Sequence, residues 1–237
     1  MTGRPFRFGI GGPVGTGKTA LVETIVPRLV AAGHSVVVVT NDLVTREDEW
    51  HVKATLAGVL QPDRIVGVET GACPHQAVRD DPSMNLAVLD ELEARFPGTD
   101  YAIVESGGDN LQLTFSSDLV DLSIFVIDVA GGDKIPRKRG AGLILADLLV
   151  INKIDLAPHV GADLGVMDRD ARLVRGERPF LFADCRHQVG IEEIVRFVTA
   201  ARERFLLDGA GHESHGTTAG TSVEPAAHGH DHVHAHG

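Results

Sequence analysis

The chain has 237 residues, 43% hydrophobic and 23% charged, which suits one substantial α/β domain and excludes wholesale disorder. Lys and Arg number 22 against 33 Asp and Glu, a formal charge of −11, which argues against sequence-independent nucleic-acid binding but not against a local phosphate pocket. Two cysteines, Cys73 and Cys185, are too few for a disulfide framework, and no run approaches the ~18 apolar residues that a membrane span needs. The first residues carry no apolar signal segment, so the expectation is a cytoplasmic protein with both thiols reduced and no membrane contact. In chain order, the apolar pattern predicts strands at 7–10, 35–40, 64–68, 100–104, 122–128, 148–151 and 180–183. It predicts helices at 18–32, 84–96 and 190–205; Gly33 closes the first, and Pro27 is expected to kink or weaken it. The alternation predicts a single domain: an α/β fold with a mostly parallel sheet flanked by helices. From Asp208 the composition turns to Gly, Ser, Thr, Ala and His, so residues 1–207 are read as the domain and 208–237 as a disordered His-rich tail.

Between the first strand and the first helix lies Gly12-Pro13-Val14-Gly15-Thr16-Gly17-Lys18-Thr19, a match to G-x-x-x-x-G-K-[ST] in the context a P-loop requires. Glycines let backbone N–H groups curl around a polyphosphate, and the helix N-terminus adds positive potential. Lys18 is placed to reach the β- and γ-phosphates, and Thr19 offers a hydroxyl to Mg²⁺. A second motif, Asn152-Lys153-Ile154-Asp155, follows the strand at 148–151 in the N-K-x-D pattern that reads guanine. A carboxylate at Asp155 accepts from the guanine ring N–H and exocyclic amine. Adenine presents an acceptor there and leaves the carboxylate unpaired. Lys153 can pack its stem along the base, and residues 180–190 are placed to form a second wall of the pocket. The nucleotide is therefore GTP.

Three acidic residues fall at the carboxyl ends of predicted strands, where ligands bind in doubly wound sheets: Asp42, Glu69 and Glu105. Each can complete a Mg²⁺ shell, position the attacking water, or cap a helix; Asp42 and Glu69 are the favoured metal-shell residues. The glycine-rich stretch after Glu105, residues 106–110, reads as a segment that moves when the γ-phosphate leaves. Cys73-Pro74-His75 offers a thiolate and an imidazole, a beginning for Zn²⁺, Cu or Ni²⁺ but only two of four ligands.

Taken together, these stretches resemble the urease accessory G proteins, nickel-delivery GTPases of the SIMIBI class of P-loop proteins. The resemblance covers nearly all of residues 6–205. It rests on Gly12–Thr19, Thr40–Asp42, Val66–His75, Ser83–Ala87, Glu105–Asn110, Val126–Arg137, Asn152–Asp155 and Val166–Ala171. It implies a slow GTPase that forms a homodimer with GTP and Mg²⁺ and holds Ni²⁺ between two copies of Cys73 and His75. It further implies phosphate binding by Gly12–Thr19, guanine binding by Asn152, Lys153 and Asp155, and Mg²⁺ binding by Thr19, Asp42 and Glu69. The implied partners are apo-urease and other urease accessory proteins. Ala72 departs from the pattern, which usually has glycine before the cysteine. The His-rich segment departs too, lying at the C-terminus rather than the N-terminus. Of 12 histidines, seven lie in the tail, where flexible imidazoles bind Ni²⁺ or Zn²⁺ weakly and repeatedly. A small P-loop kinase and a hydrogenase-type nickel GTPase share parts of this pattern.

Overall fold

A computed structural model describes residues 3–42, 47–71 and 76–213. Seven strands form one sheet: β1 (Phe6–Gly11), β2 (Val36–Asp42), β3 (Ile65–Glu69), β4 (Tyr101–Glu105), β5 (Leu122–Asp128), β6 (Leu148–Asn152) and β7 (Phe180–Phe182). Their order is β3-β2-β4-β1-β5-β6-β7, and every pairing is parallel, so the sheet is wholly rather than mostly parallel. The helices are α1 (Lys18–Ala31), α2 (Glu47–Thr55), α3 (Ser83–Arg95), α4 (Ala141–Leu145), α5 (Ala157–Val160), α6 (Leu164–Arg175) and α7 (Ile191–Glu213). All seven predicted strands are present within a residue or two. Helices α2, α4, α5 and α6 were not predicted. The last described helix continues past Asp208 to Glu213; a helix propagates one hydrogen bond at a time, so small residues in its final turns do not stop it. Residues 214–237 lie outside the described residues.

The sheet is buried on both faces because its strands are continuous apolar runs. On one face Phe6, Phe8, Ile10, Val36 and Val38 pack with Leu21, Ile25 and Leu29 of α1 and Ile194 and Val198 of α7. On the other, Val37, Val39, Ala102 and Val104 pack with Leu89 and Leu92 of α3 and Met167 and Ala171 of α6. The alternation along β1 leaves Arg7 on this second face, buried, where Nε and Nη2 reach Glu93 at 3.0 and 2.7 Å. Helix α1 runs through Pro27 without a break. There the Arg28 side chain donates to the Thr24 carbonyl at 2.8 Å.

Strand order reverses at β1, which has β4 on one side and β5 on the other. That places a crevice at the carboxyl end of β1, the switch point where open α/β sheets bind ligands. The loop from β1 to α1 opens into it, as do the ends of β4, β5 and β6.

The burial pattern makes a stability prediction. Ile25→Ala should cost ~2–5 kcal/mol because Ile25 is fully buried against the sheet, whereas Leu173→Ala, at an exposed position, should fall within ~0.5 kcal/mol of wild type. Urea unfolding of both variants checks this, and equal losses would contradict the packing described.

Candidate nucleotide site

The loop of residues 12–17 is shaped by contacts that only glycine permits at two points. Gly12 has φ +144°, and a Cβ there would collide with the Val126 carbonyl of β5. Gly17 has φ +92° at the cap of α1, and a Cβ there would collide with the Asn152 amide. The loop therefore lies directly on β5 and on the end of β6. Thr16 closes it from within, its hydroxyl donating to the Pro13 carbonyl at 2.9 Å. Val14 stands at its tip, exposed.

Lys18 begins α1 and is folded back over the loop, Nζ donating to the Pro13 carbonyl at 3.1 Å. It is buried, and burial lowers its ammonium from the ordinary value, against the pull of Glu105 and Asp48. A buried cation favours an anion beside it. Thr19 points the other way, and its hydroxyl donates to Glu105 Oε1 at 2.6 Å. Glu105, at the end of β4, is almost wholly buried. Burial pushes its carboxyl up to about 7, against the Thr19 hydrogen bond and the Lys18 charge. Its second oxygen, Oε2, and the neighbouring Ser106 hydroxyl are buried and make no hydrogen bond among the described residues. Buried oxygens without donors are costly, and a hard divalent cation with its water shell is the group that satisfies such a set. The donors present thus fit Mg²⁺.

The two favoured acidic residues stand further along. Asp42 and Glu69 end β2 and β3 and face each other in register. In the neighbouring ladder Thr40 pairs with Glu105, so Asp42 lies two residues beyond the Thr19–Glu105 contact. Glu105, named with them but not favoured, is the carboxylate that meets Thr19. The deciding signal is register: three strands end near one another, but only β4 adjoins β1. The stretch 106–110 rests on the phosphate loop. Asp109 N–H donates to the Gly12 carbonyl at 3.3 Å, and Gly108 lies so close to Val14 that a Cβ would collide with it.

At the other end of the crevice, Asn152, Lys153 and Asp155 join a cavity of about 260 Å³, lined also by Gly17, Ala20, Leu156, Asp184, Cys185 and Arg186. The expected second wall from residues 180–190 is therefore present. Asn152 is buried and spends its amide on structure: Nδ2 donates to the Thr16 carbonyl at 3.0 Å, and Oδ1 accepts from the Cys185 N–H at 3.2 Å. It joins phosphate loop to base pocket. Lys153 adopts φ +60°, and Nζ donates to the Gly15 carbonyl and pairs with Asp128 Oδ2 at 3.0 Å. Asp155 is partly exposed at the rim, 3.9 Å from the His187 ring. His187 Nδ1 lies 2.6 Å from Asp184 Oδ2. Burial disfavours the Asp184 carboxylate, yet hydrogen bonds from the His187 ring and backbone hold it below its usual range. Cys185 is buried beside them, which pushes its thiol up to about 11.

Sequence reasoning gave no role to Asp128 or Arg137. Asp128 holds Lys153 and caps the turn after β5, accepting from Gly131 N–H at 3.2 Å. Arg137 Nε reaches the buried Asp170 of α6 at 2.6 Å and so pins the segment that follows that turn. These pairs join residues distant in sequence, so no local spacing announces them. A second cavity of about 240 Å³, lined by Leu113, Phe115, Phe125 and Leu145 among others, holds no titratable group. Cys73 and His75 lie outside the described residues.

The comparisons agree with this geometry. Residues 6–182 match the family model described as the CobW/HypB/UreG nucleotide-binding domain. The urease accessory protein UreG of Edwardsiella ictaluri is 60% identical over 192 residues, 81% of this chain and 92% of that protein. A second UreG, from Methylorubrum extorquens, is 59% identical over 81% of this chain and 89% of its own length. Among solved structures, HypB from Helicobacter pylori, determined with nickel, superposes with a TM-score of 0.68 at 18% identity, covering 84% of this chain and 88% of that one. The hydrogenase maturation factor HypB from Archaeoglobus fulgidus gives 0.65 at 23% identity, covering 84% and 90%. At those identities the structural likeness speaks for the fold alone. A phosphate loop and a base-reading loop sharing one crevice, in a chain matched from β1 through β7, lead to one conclusion: the chain belongs to the CobW/HypB/UreG family of nucleotide-binding proteins.

Proposed function

We propose that this chain is a GTP-hydrolysing nickel chaperone that serves the maturation of urease. The observation that carries the reading is the cavity that joins Gly17, the residue before Lys18 and Thr19, to Asn152, Lys153 and Asp155, in a chain 60% identical to a urease accessory protein over 92% of that protein's length.

In this reading the backbone of Gly12–Gly17 and the Lys18 ammonium hold the phosphates of GTP. Asp155 selects guanine, while Asn152 and Lys153 keep the base pocket and phosphate loop at a constant separation. Thr19 and Glu105 hold Mg²⁺, with Asp42 and Glu69 serving the metal shell or the attacking water from the next strand ends. When bound, the ion neutralises charge that develops on the β- and γ-phosphates. Turnover is slow, because the residues gathered here bind and position rather than attack. The nickel cargo is held by Cys73 and His75. Each chain supplies two ligands, so a GTP-dependent homodimer supplies an S₂N₂ set, and Zn²⁺ is the natural competitor for it. The residue 1–207 unit carries the GTPase, and the histidines of 208–237 gather metal. Apo-urease and the other accessory proteins are the partners, and the cytoplasm is the compartment. No described helix is long and apolar enough to cross a membrane.

Four results are expected. Asp155→Asn replaces an acceptor of two hydrogen bonds by a group that also donates, and should weaken GTP by about a hundredfold, without any gain for ATP. Equilibrium binding with both nucleotides checks this; unchanged GTP affinity would remove Asp155 from the base pocket. Ni²⁺ affinity should be greater with a non-hydrolysable GTP analogue than with GDP, within the roughly 5–150-fold range of ordinary coupling, and Cys73→Ala should abolish tight Ni²⁺ binding while sparing the nucleotide. Equal affinities in the two states would overturn the switch. Light scattering during size exclusion should show a dimer with GTP, Mg²⁺ and Ni²⁺ and a monomer with GDP.

A further inference from the structure

Two asparagines that the site does not use are wholly buried: Asn41 in β2 and Asn85 in the first turn of α3. Their amides face each other. Asn41 Nδ2 donates to Asn85 Oδ1 at 3.0 Å, and Asn85 Nδ2 returns a bond to Asn41 Oδ1 at 2.9 Å. Each amide sends its other N–H outward, Asn41 to the Glu105 carbonyl and Asn85 to the Ala77 carbonyl, both at 2.9 Å. Both N–H bonds of both amides are thus used. The outer carbonyls also fix which way each amide points, since a flipped amide would set oxygen against oxygen.

The row therefore has two ends of different character. One is the backbone of Glu105, whose side chain meets Thr19. The other is the turn Gln76–Asp80, which follows Cys73 and His75 in the chain. The turn is also held where Ser116 N–H donates to the Val78 carbonyl at 2.9 Å. A satisfied polar row inside an apolar layer is stiff. Displacing either end breaks a buried hydrogen bond unless the whole row moves with it.

We propose that the Asn41–Asn85 pair is a positioning element that transmits the state of the Thr19–Glu105 corner to the turn after Cys73 and His75. The proposal rests on the nickel-chaperone reading above. When the γ-phosphate and its metal ion settle on that corner, the Glu105 backbone shifts, Asn41 follows its carbonyl, and Asn85 carries Ala77 and the turn with it. Neither asparagine touches nucleotide or nickel; both act through other residues.

The test uses the full-length chain and measures Ni²⁺ affinity against a competing chelator dye, with GDP and with a non-hydrolysable GTP analogue, each with Mg²⁺. The ratio of the two affinities is the readout. Asn85→Ala should bring the ratio close to one while leaving GDP affinity and Ni²⁺ affinity in the GDP state unchanged. Asn85→Ser, which keeps a polar group at the buried position, should do the same and serves if the alanine variant does not fold. Leu89→Ala removes a buried side chain from the same helix outside the row. It should lower thermal stability yet keep the wild-type ratio. A wild-type ratio in the folded Asn85 variants, or an equal loss in Leu89→Ala, would overturn the proposal, because the pair would then be structural only. A ratio of one in the wild type would instead overturn the nickel-coupling reading. The tail histidines add the same background to every variant.

Discussion

A carboxyl group in the wrong solvent organises this site. Glu105 ends a central strand, so its side chain cannot leave the interior; it takes one hydrogen bond from Thr19 and leaves its second oxygen without a donor among the described residues. The ordinary remedies for a buried carboxylate are protonation, a buried cation or a metal ion. Lys18 supplies part of the second remedy, yet it too is buried and committed to the phosphate loop. The raised value of the Glu105 carboxyl, about 7, shows how far this corner is from being paired by the protein alone. Close packing of the same region explains why Gly12, Gly17 and Gly108 lack side chains: the loop lies directly on β5 and on the Asn152 amide, and its own Val14 lies on Gly108.

The base end works on a different economy. Asp155 is partly exposed, and the residues behind it do the holding. Asn152 ties the phosphate loop to the backbone of Cys185, and Lys153 ties Gly15 to Asp128. Of the three positions read as guanine-binding, two are thus spent as a brace behind Asp155. The brace fixes the distance between the Asp155 loop and the phosphate loop. That distance is what separates a nucleotide pocket from a phosphate pocket with a nearby carboxylate.

The phosphate loop and the N-K-x-D motif were legible because their chemistry is local: consecutive residues form the cradle, and the adjoining strand and helix give its setting. The seven strands were legible for a similar reason, since strands covered on both faces have little choice but to be apolar throughout. Helices α4 and α5 were not, being only five and four residues long, too short to show a period. Helix α6 does carry a local start signal, Asp163 at its cap, which accepts from the Gly165 and Val166 N–H groups in the usual way. The choice among Asp42, Glu69 and Glu105 was open in sequence because all three end strands.

Consecutive residues, then, were enough for the strands and for the nucleotide-binding family, because strand pattern and motif each depend on neighbours along the chain. Strand order was not among them, and strand order put β4 beside β1, Glu105 against Thr19, and Asn41 between the Glu105 carbonyl and Asn85. The role of Asn152 as a brace was settled in the same way. Its partners, Thr16 and Cys185, come from either side of it in the chain and meet only when β6 takes its place between β5 and β7. Contacts of this kind depend on register and burial, which exist only after distant segments have packed.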